Sequence, residues 1–346
     1  MHQKDSTHPL KNELFSQAMS RRSALGAVAM AAATLLPTGA HAQAVWPSRP
    51  VKIIDVYAPG GSGDLLARAI ANKLAPRIGQ PVLVENRPGA GGAIGTDFVA
   101  KSPADGYTLM LSATGNAVAE ASLVAGRKLP FDWLKDFTPV GQIGSTPLVI
   151  VVAHDSPIKT LRDLVELARA KPNDGVRYGT SGVGSMSHIG TEMLASVANV
   201  QLMHVPYKGN SLAFTDLLGG QLQAMLGSVA TFSSMLESGK MRAIVVTSPK
   251  RSPFLPNVPT STEAGFPEFQ IEYWWGLMAP ANTPRDVVKR LNTELNLILA
   301  LPDIRELLSR VAATPTTVTP DEFGRLNAFE VTRWSKLIKD KNIKME

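Results

Sequence analysis

The chain contains no cysteine, and this absence limits its chemistry from the outset. Disulfides, iron–sulfur clusters, thiolate zinc sites and cysteine nucleophiles are all excluded. The sequence also lacks a dense block of lysine and arginine, although its formal net charge is +6 over 346 residues. Nucleic-acid-binding proteins usually concentrate their positive charge. We therefore expect no nucleic-acid partner, and the mild positive balance suits small acidic ligands.

Long hydrophobic runs are missing as well. The apolar run from Ala24 to Leu36 has only about 13 residues, whereas a membrane-spanning helix needs roughly 20. Hydrophobic residues make up 44% of the chain and charged residues 18%, which is typical of a folded globular protein. The length is sufficient for two domains with a large core.

The apolar run is flanked by the features of a bacterial export signal. Arg21 and Arg22 precede it, and the small-x-small pattern Ala40-His41-Ala42 follows it. We predict that residues 1–42 form a signal that is cleaved near Ala42 and that the mature protein is periplasmic. The arginine pair resembles a twin-arginine signal, but Ala24 stands where phenylalanine is usual, so Tat and Sec export both stay open.

Downstream of the signal, short β-branched runs alternate with amphipathic helical stretches. The runs VKIIDVYA, PVLVENR and YTLMLSA show the pattern first, and it resumes after residue 160. Such alternation is typical of parallel sheets that are covered by helices on both faces. The sequence therefore predicts an α/β fold in which each domain is a mostly parallel sheet flanked by helices.

Two apolar segments interrupt this rhythm, namely PLVIVVAHDSP (147–157) and FQIEYWWGLMAP (269–280), and only helical patterns follow the second. We predict that domain 1 comprises residues 48–148 plus 275–346 and that domain 2 comprises residues 149–270. The chain would cross between the domains twice, and the cleft between them is the expected ligand site.

Each predicted domain carries one glycine-rich loop between a strand and a helix. PGGSGD (59–64) follows the first strand, and GTSGVGSMSH (179–188) follows VRY. Glycine allows a ligand to approach the backbone closely, and the N–H groups at a helix N-terminus bind anions. We expect the two loops to clamp an anion across the cleft, helped by the hydroxyls of Thr180, Ser181 and Ser185.

Other interpretations of the same residues are weaker. The segment from Gly61 to Leu66 resembles a dinucleotide fingerprint, with Glu85 placed as an acidic ribose partner, but leucine replaces the third glycine. A P-loop lysine is absent, and Val183 breaks a nucleophile elbow. We expect no cofactor.

Several polar and aromatic residues have simpler structural roles. Asp64 is expected to N-cap the first helix and to pair with Arg68 at i,i+4 spacing. The mature histidines, His154, His188 and His204, show no metal-ligand spacing. The pair Trp274-Trp275 suits inter-domain packing better than a sugar platform.

The quoted segments also resemble a known family. The resemblance runs from about Trp46 to Lys344 and is carried by VYAPGGSGD, PVLVENRPGAGGAIGTDFVAKSPADGYTLML, GTSGVGSMSHIG, MHVPYKG, VPTSTEAGFP, GLMAPANTP and FEVTRWSKLIK. These segments are similar to the Bug receptors, the substrate-binding components of tripartite tricarboxylate transporters. The resemblance implies a periplasmic binding protein of type II, a two-domain "Venus flytrap" that captures small carboxylates.

The family contacts its ligand through loops that match 57–64 and 179–188, and the loop 112–116 borders the site. Ala93 stands where many members have a polar residue, which puts contacts from that loop in doubt. The candidate ligand-binding residues are Tyr57, Pro59, Gly60, Gly61, Ser62, Asp64, Thr114, Asn116, Thr180, Ser181, Gly182, Ser185, His188 and Tyr207.

We therefore expect a monomeric, non-enzymatic solute receptor that delivers a small carboxylate to the membrane permease of a tripartite tricarboxylate-type transporter. Two alternatives stay open. One is an exported α/β enzyme, such as a hydrolase, that uses the same cleft. The other is the ligand-binding subunit of a signalling system, whose partner would be a sensor kinase.

Overall fold

The computed structural model describes residues 46–172, 175–207 and 209–344. The predicted export signal, residues 1–42, lies outside this part of the chain. Within the described ranges, no helix combines the length and the apolar character needed to cross a membrane.

Ten strands and ten α-helices form within the described ranges. The strands are β1 (Val51–Asp55), β2 (Val82–Asn86), β3 (Thr108–Ala113), β4 (Phe137–Ala153), β5 (Arg177–Thr180), β6 (Met203–Pro206), β7 (Ala224–Ser228), β8 (Met241–Val246), β9 (Glu272–Pro280) and β10 (Thr314–Pro315). The helices are α1 (Ser62–Ile78), α2 (Ala93–Ala100), α3 (Thr114–Ala121), α4 (Leu161–Ala170), α5 (Met186–Ala198), α6 (Asn210–Leu218), α7 (Val229–Glu237), α8 (Arg285–Leu299), α9 (Pro302–Arg310) and α10 (Pro320–Asp340).

The strands that alternate with helices pair in parallel, as the sequence predicts. β1 lies between β2 and β3, and β5 lies between β6 and β7. Ile53 and Ile54 point to opposite faces of β1, yet both are fully buried. The sheet is therefore covered on both faces at β1, which explains why β1 carries neighbouring apolar residues rather than a strict alternation of apolar and polar ones.

The expectation of mostly parallel sheets needs correction. Four of the strand pairings are parallel, and five are antiparallel. Every antiparallel pair includes β4 or β9, the two strands that contain the predicted crossing segments. A further difference is β10, which pairs with β4 although only helices were expected after residue 280. The sheets are mixed because the crossing strands run against their neighbours.

β4 belongs to both sheets. Its first part pairs with β9 and its last part pairs with β7 and β8. Thr247, which is fully buried, ties this strand to the return connection. The N–H group of Thr247 donates to the Leu148 carbonyl over 2.9 Å, and the N–H group of Ile271 donates to the Thr247 carbonyl over 3.0 Å. The two connections between the sheets are thus hydrogen-bonded to the same residue.

The last helix, α10, reaches the core on both sides. Phe323 packs edge-on against Trp274, with ring centroids 5.2 Å apart, in a cluster that includes Ile54 of β1. Farther along the helix, Trp334 is fully buried in a second cluster that contains Leu148 of β4. The observed architecture of strands covered by helices agrees with the predicted α/β class, whereas the domain boundaries stay a prediction.

Candidate functional site

A cavity of about 770 Å³ lies at the ends of the parallel strands. The loop that follows β1 contributes Gly61 and Ser62 to its wall, and the loop that follows β5 contributes Ser181 and Gly182. The two glycine-rich loops therefore line one shared space. Their role in binding a ligand stays a prediction, but the geometry that this role requires is present.

Five helices begin at this cavity. The lining residues at or near their first turns are Ser62 and Gly63 of α1, Gly115 of α3, Met186 and Ser187 of α5, Asn210 of α6, and Ser228 just before α7. The first N–H groups of a helix have no intrahelical acceptor, and the helix dipole places about half a positive charge at this end. Together the five ends create a positive potential in the cavity without requiring a cationic side chain.

The first glycine-rich loop is organised by Asp64, although not in the way expected. Gly61 is the N-cap of α1, so the prediction that Asp64 caps the helix is wrong. Asp64 is the third helical residue, and its Oδ2 accepts from the Gly60 N–H over 3.0 Å. The predicted pair with Arg68 is present at 2.9 Å, and the Arg68 guanidinium holds the pKa of Asp64 below its usual range.

This arrangement decides which amides of the first loop stay available to a ligand. The Gly60 N–H is already bonded to Asp64, and the Leu65 N–H bonds to the Gly61 carbonyl over 3.1 Å. The N–H groups of Ser62 and Gly63 lie between them, in the first turn of α1, where no intrahelical acceptor exists.

The second loop uses more of its own amides. The Ser185 hydroxyl is the N-cap of α5 and accepts from the His188 N–H, while the Gly184 N–H donates to His188 Nδ1 over 3.1 Å. The Gly182 N–H donates weakly to the Thr180 hydroxyl, over 3.3 Å. Gly182 and Gly184 have φ values of +139° and +73°, which L side chains rarely adopt. This loop is held in a fixed shape by internal bonds, and the first turn of α5 supplies its remaining donors.

The predicted site residues divide into two groups. Those that line the cavity are Tyr57, Gly61, Ser62, Asp64, Ser181, Gly182 and Ser185. Those that do not line it are Pro59, Gly60, Thr114, Asn116, Thr180, His188 and Tyr207. Several members of the second group have structural roles, as the following contacts show.

Thr114 and Asn116 are structural. The Thr114 hydroxyl accepts from the Trp274 N–H over 2.8 Å, and Asn116 Oδ1 accepts from the Ala113 N–H over 2.9 Å, which fixes the start of α3. The cavity wall here is made by Gly115 instead. An alanine Cβ at that position would lie 2.8 Å from the Tyr57 hydroxyl oxygen. This distance is too short for a van der Waals contact, so only glycine can stand here without displacing the hydroxyl group.

The residues beneath the second loop are also structural. Tyr207 donates its hydroxyl proton to Asp216, and its backbone N–H bonds to the Thr180 carbonyl over 3.0 Å. Thr180 is fully buried, and its hydroxyl lies 2.7 Å from His204 Nε2. Burial, followed by the nearby His204, lowers the pKa of His188 to about 4, so this ring is neutral at pH 7.

The floor of the cavity contains residues that the sequence analysis missed. Asp55 ends β1, is fully buried, and accepts from the Tyr57 N–H over 3.1 Å. Burial raises the pKa of Asp55 to about 6. Burial and then Asp55 raise the pKa of Tyr57 to about 12, and the pKa of Tyr273 is raised as well, mainly by burial. Both phenols therefore stay protonated and remain hydrogen-bond donors.

The tryptophan pair separates into two roles. Trp274 is buried in the hydrophobic cluster that contains Ile54 and Phe323, whereas its predicted role in inter-domain packing stays a prediction. Trp275 points to the other face of β9 and lines the cavity beside Tyr273, with ring centroids 5.1 Å apart. The alternation of side chains along a strand explains why neighbours have different environments.

Arg127 is the cationic residue among those that line the cavity. Its Nη2 lies 3.4 Å from the Ala90 carbonyl oxygen and 3.5 Å from the position of a Cβ on Gly91. None of the ion pairs formed within the described ranges includes Arg127. No pattern in the sequence marks this residue, because it lies in a loop distant from both glycine-rich segments.

The alternative readings find little support in the contacts. Glu85, the expected ribose partner of a dinucleotide, is engaged with Lys52 at 3.4 Å and Arg87 at 2.6 Å. Within residues 46–172, 175–207 and 209–344, no three His, Asp or Glu residues are grouped so as to hold a metal ion. The Thr180–His204 hydrogen bond could suggest a nucleophile and base, but Thr180 does not reach the cavity surface.

Comparisons with known proteins agree with this geometry. The family model "TctC: Tripartite tricarboxylate transporter family receptor" matches residues 66–343. Protein BugT of Bordetella pertussis is 36% identical over 301 residues, which cover 87% of this chain and 92% of BugT.

Two solved structures are similar over nearly their whole length. MatC from Rhodopseudomonas palustris with bound malate has a TM-score of 0.70 and 31% identity, covering 85% of this chain and 100% of MatC. An R. palustris protein solved with adipate has a TM-score of 0.73 and 34% identity, covering 86% of this chain and 99% of its own. The chain therefore belongs to the tripartite tricarboxylate transporter receptor family, TctC, together with Bug-type periplasmic binding proteins.

Proposed function

We propose that this protein is a periplasmic receptor that captures a small carboxylate in the cavity and delivers it to the membrane permease of a tripartite tricarboxylate-type transporter. The observation that carries the proposal is the convergence of five helix N-termini on one cavity. Such an arrangement stabilises a negative charge through N–H groups and helix dipoles.

The binding strength that this geometry provides is of a useful size for a receptor. A hydrogen bond to a charged group contributes roughly 1.5–3 kcal/mol. Four or five such contacts give about 8 kcal/mol, which corresponds to a micromolar dissociation constant. Ser62 and Gly63 would supply amides from one side, and Met186 and Ser187 would supply them from the other.

The relatives support the carboxylate class. Malate and adipate are the ligands of the two related structures, and both are small dicarboxylates. The cavity of about 770 Å³ is large enough for molecules of this size.

The proposal also includes the absence of catalysis. A hydrolase would need a nucleophile and a base that face the bound ligand. Ser185 donates its hydroxyl proton to the Gly182 carbonyl over 2.7 Å, and His188 Nδ1 accepts from Gly184. Both groups are occupied in holding the loop, which supports a binding role over an enzymatic one.

The test is a binding measurement with recovery of the ligand. The mature protein should be purified without added carboxylates, and native mass spectrometry should identify whatever co-purifies with it. Titration calorimetry with malate and adipate should then show one site per chain, and NMR should recover the ligand unchanged after overnight incubation. Conversion of the ligand would establish an enzyme instead.

Delivery to a permease needs a separate experiment in cells. A strain that lacks this protein should lose uptake of the radiolabelled ligand, and periplasmic fractionation should locate the protein. Normal uptake combined with loss of a transcriptional response to the ligand would assign the protein to a signalling system with a sensor kinase.

A further inference from the structure

The cavity floor carries an acidic group where the proposed function places an anion. Asp55 is fully buried at the end of β1 and lines the cavity. A Cβ on Gly63, in the first turn of α1, would lie 3.9 Å from Asp55 Oδ1. The carboxyl group is therefore beside the N–H groups that are best placed to bind a carboxylate.

Neutral donors hold the Asp55 carboxyl group on both oxygens. The Tyr57 N–H donates to Oδ1 over 3.1 Å, and Asn86 Nδ2 donates to Oδ2 over 3.2 Å. The phenols of Tyr57, just after β1, and of Tyr273, on β9, face it, and both are protonated. In addition to burial, the charge of Asp64 on α1 raises the pKa of Asp55, and the charge of Arg68 on the same helix lowers it.

The nearby charged residues are already paired with each other. Asp64 and Arg68 on α1 form an ion pair at 2.9 Å, and Glu85 on β2 is paired with Lys52 and Arg87. No ion pair formed within the described ranges includes Asp55. Asp55 thus faces the cavity without a counter-ion of its own.

We propose that the cavity binds its anionic ligand together with one proton and that Asp55 holds this proton. The inference rests on the proposed function, because it requires an anion in the cavity. When two carboxylates share a buried site, the pKa of one of them is strongly raised. The proton comes from the solvent and leaves again when the ligand is released.

The surroundings of Asp55 favour a proton over a cationic group on the ligand. Burial already raises the pKa of Asp55 to about 6, so a modest further increase protonates it at pH 7. An ammonium group would need direct contact with the carboxylate, whereas Asp55 is fully buried and both of its oxygens accept hydrogen bonds. A proton needs no such surface.

The test is titration calorimetry of the mature protein with malate and with adipate at pH 7.0, in Tris and in bis-Tris buffers. The dependence of the binding enthalpy on the buffer's ionisation enthalpy gives the number of protons taken up. We expect about one proton per ligand in the wild-type protein and none in Asp55→Asn. The wild-type affinity should also fall about tenfold per pH unit around pH 7, between the pKa of Asp55 in the free protein and its higher pKa in the complex, while that of Asp55→Asn stays constant.

Glu120→Gln is the matched control. Glu120 is a buried carboxyl group whose pKa is also raised by burial, but it accepts from the Trp133 N–H and does not line the cavity. This variant should keep the proton uptake of the wild-type protein.

The outcomes separate the two proposals. Tight binding without proton uptake in the wild-type protein overturns the role of Asp55 and leaves the receptor function standing, and uptake that persists in Asp55→Asn does the same. If the protein binds neither malate nor adipate, this result contradicts the proposed function and therefore also the proposal that Asp55 takes up a proton. If Asp55→Asn does not fold, the carboxyl ¹³C chemical shift of Asp55 in the wild-type protein decides the matter, because at pH 7.0 it should report a protonated carboxyl group only when the ligand is bound.

Discussion

His188 and His204 stack face to face beneath the second glycine-rich loop, with ring centroids 3.9 Å apart and planes inclined by 11°. The rings connect the loop to the sheet, because His188 accepts from the Gly184 N–H and His204 contacts the Thr180 hydroxyl. Burial lowers the pKa of His204, and burial together with His204 lowers that of His188 to about 4. The stack therefore persists only while both rings are neutral.

We expect acid to destabilise the protein through this stack. An unfolded chain protonates His188 near pH 6.5, whereas the folded chain does so only near pH 4. The contribution of His188 to the free energy of unfolding should therefore fall by about 3 kcal/mol between these two values and stay level below them. Urea denaturation of His188→Asn across this range should lack this contribution and show increasing stability with acid, whereas the exposed His154→Asn should keep the wild-type profile.

Asp55 should act in the opposite direction. Its pKa rises from 3.8 to about 6 in the folded protein, so the protonated form is favoured by folding. The free energy of unfolding should gain about 3 kcal/mol as the pH falls from 6 to 3.8. Because this window overlaps that of His188, the wild-type profile should be nearly flat, and Asp55→Asn should show the acid loss clearly. A flat profile in both single variants would contradict both assignments.

The two glycine-rich loops can be tested by filling the space between them. Gly61 has an ordinary φ of −78°, and the atom nearest to a Cβ there is the Ala58 carbonyl oxygen at 3.9 Å. Gly61→Val and Ser181→Val should each fold normally and weaken carboxylate binding at least tenfold, as measured by calorimetry. Ser309→Val, on the exposed face of α9, is the control for a valine elsewhere. Unchanged affinity in both loop variants would remove the loops from the site.

Arg127 should distinguish ligands by charge. Its guanidinium lines the cavity and lies outside the ion pairs of the described ranges, so it is free to meet a second anionic group. Arg127→Gln should lower the affinity for adipate by about tenfold to a hundredfold, as expected for the loss of a hydrogen bond to a charged group. Hexanoate, which has the same chain length and one carboxylate, should bind equally to both proteins. Lys128→Gln removes an adjacent exposed charge and should change neither the affinity for adipate nor that for hexanoate.

Thr247 should matter for stability rather than for chemistry. Its hydroxyl accepts from the Leu148 N–H over 3.0 Å and donates to the Ile271 carbonyl. Thr247→Val keeps the volume but leaves a buried N–H without its side-chain acceptor, which should cost about 1–3 kcal/mol in urea denaturation. Thr247→Ser retains the hydroxyl group, so its free energy of unfolding should fall by clearly less than that of Thr247→Val. Equal losses in the two variants would assign the effect to packing.

The sequence predicted the parallel units well, because local patterns encode them. β-branched runs such as VKII and the glycine-rich turns after them define a strand, a loop and the start of a helix within about 20 residues. The pairing of β4 with β7, β8 and β9 depends on contacts between distant parts of the chain, and no local pattern records their direction.

Some of the residues that line the cavity could be predicted from the sequence, and others could not. Gly61, Ser62, Ser181 and Ser185 follow strands and carry a visible signature. Ser228 and Thr231 form another capping pair after a strand, and the same reasoning would have found them. Asp55 and Arg127 carry no such signature. The burial of Asp55 and the lack of an ion-pair partner for either residue within the described ranges depend on the folded structure, and neither property can be read from the order of residues.

The continuity of β4 has a mechanical consequence. A strand of 17 residues that belongs to both sheets is stiffer than a flexible linker would be. Any change in the width of the cavity that moves one sheet relative to the other must therefore bend β4 and the strands that are hydrogen-bonded to it. We therefore expect the resistance of this strand to bending, rather than rotation about a flexible linker, to limit how far the cavity can widen.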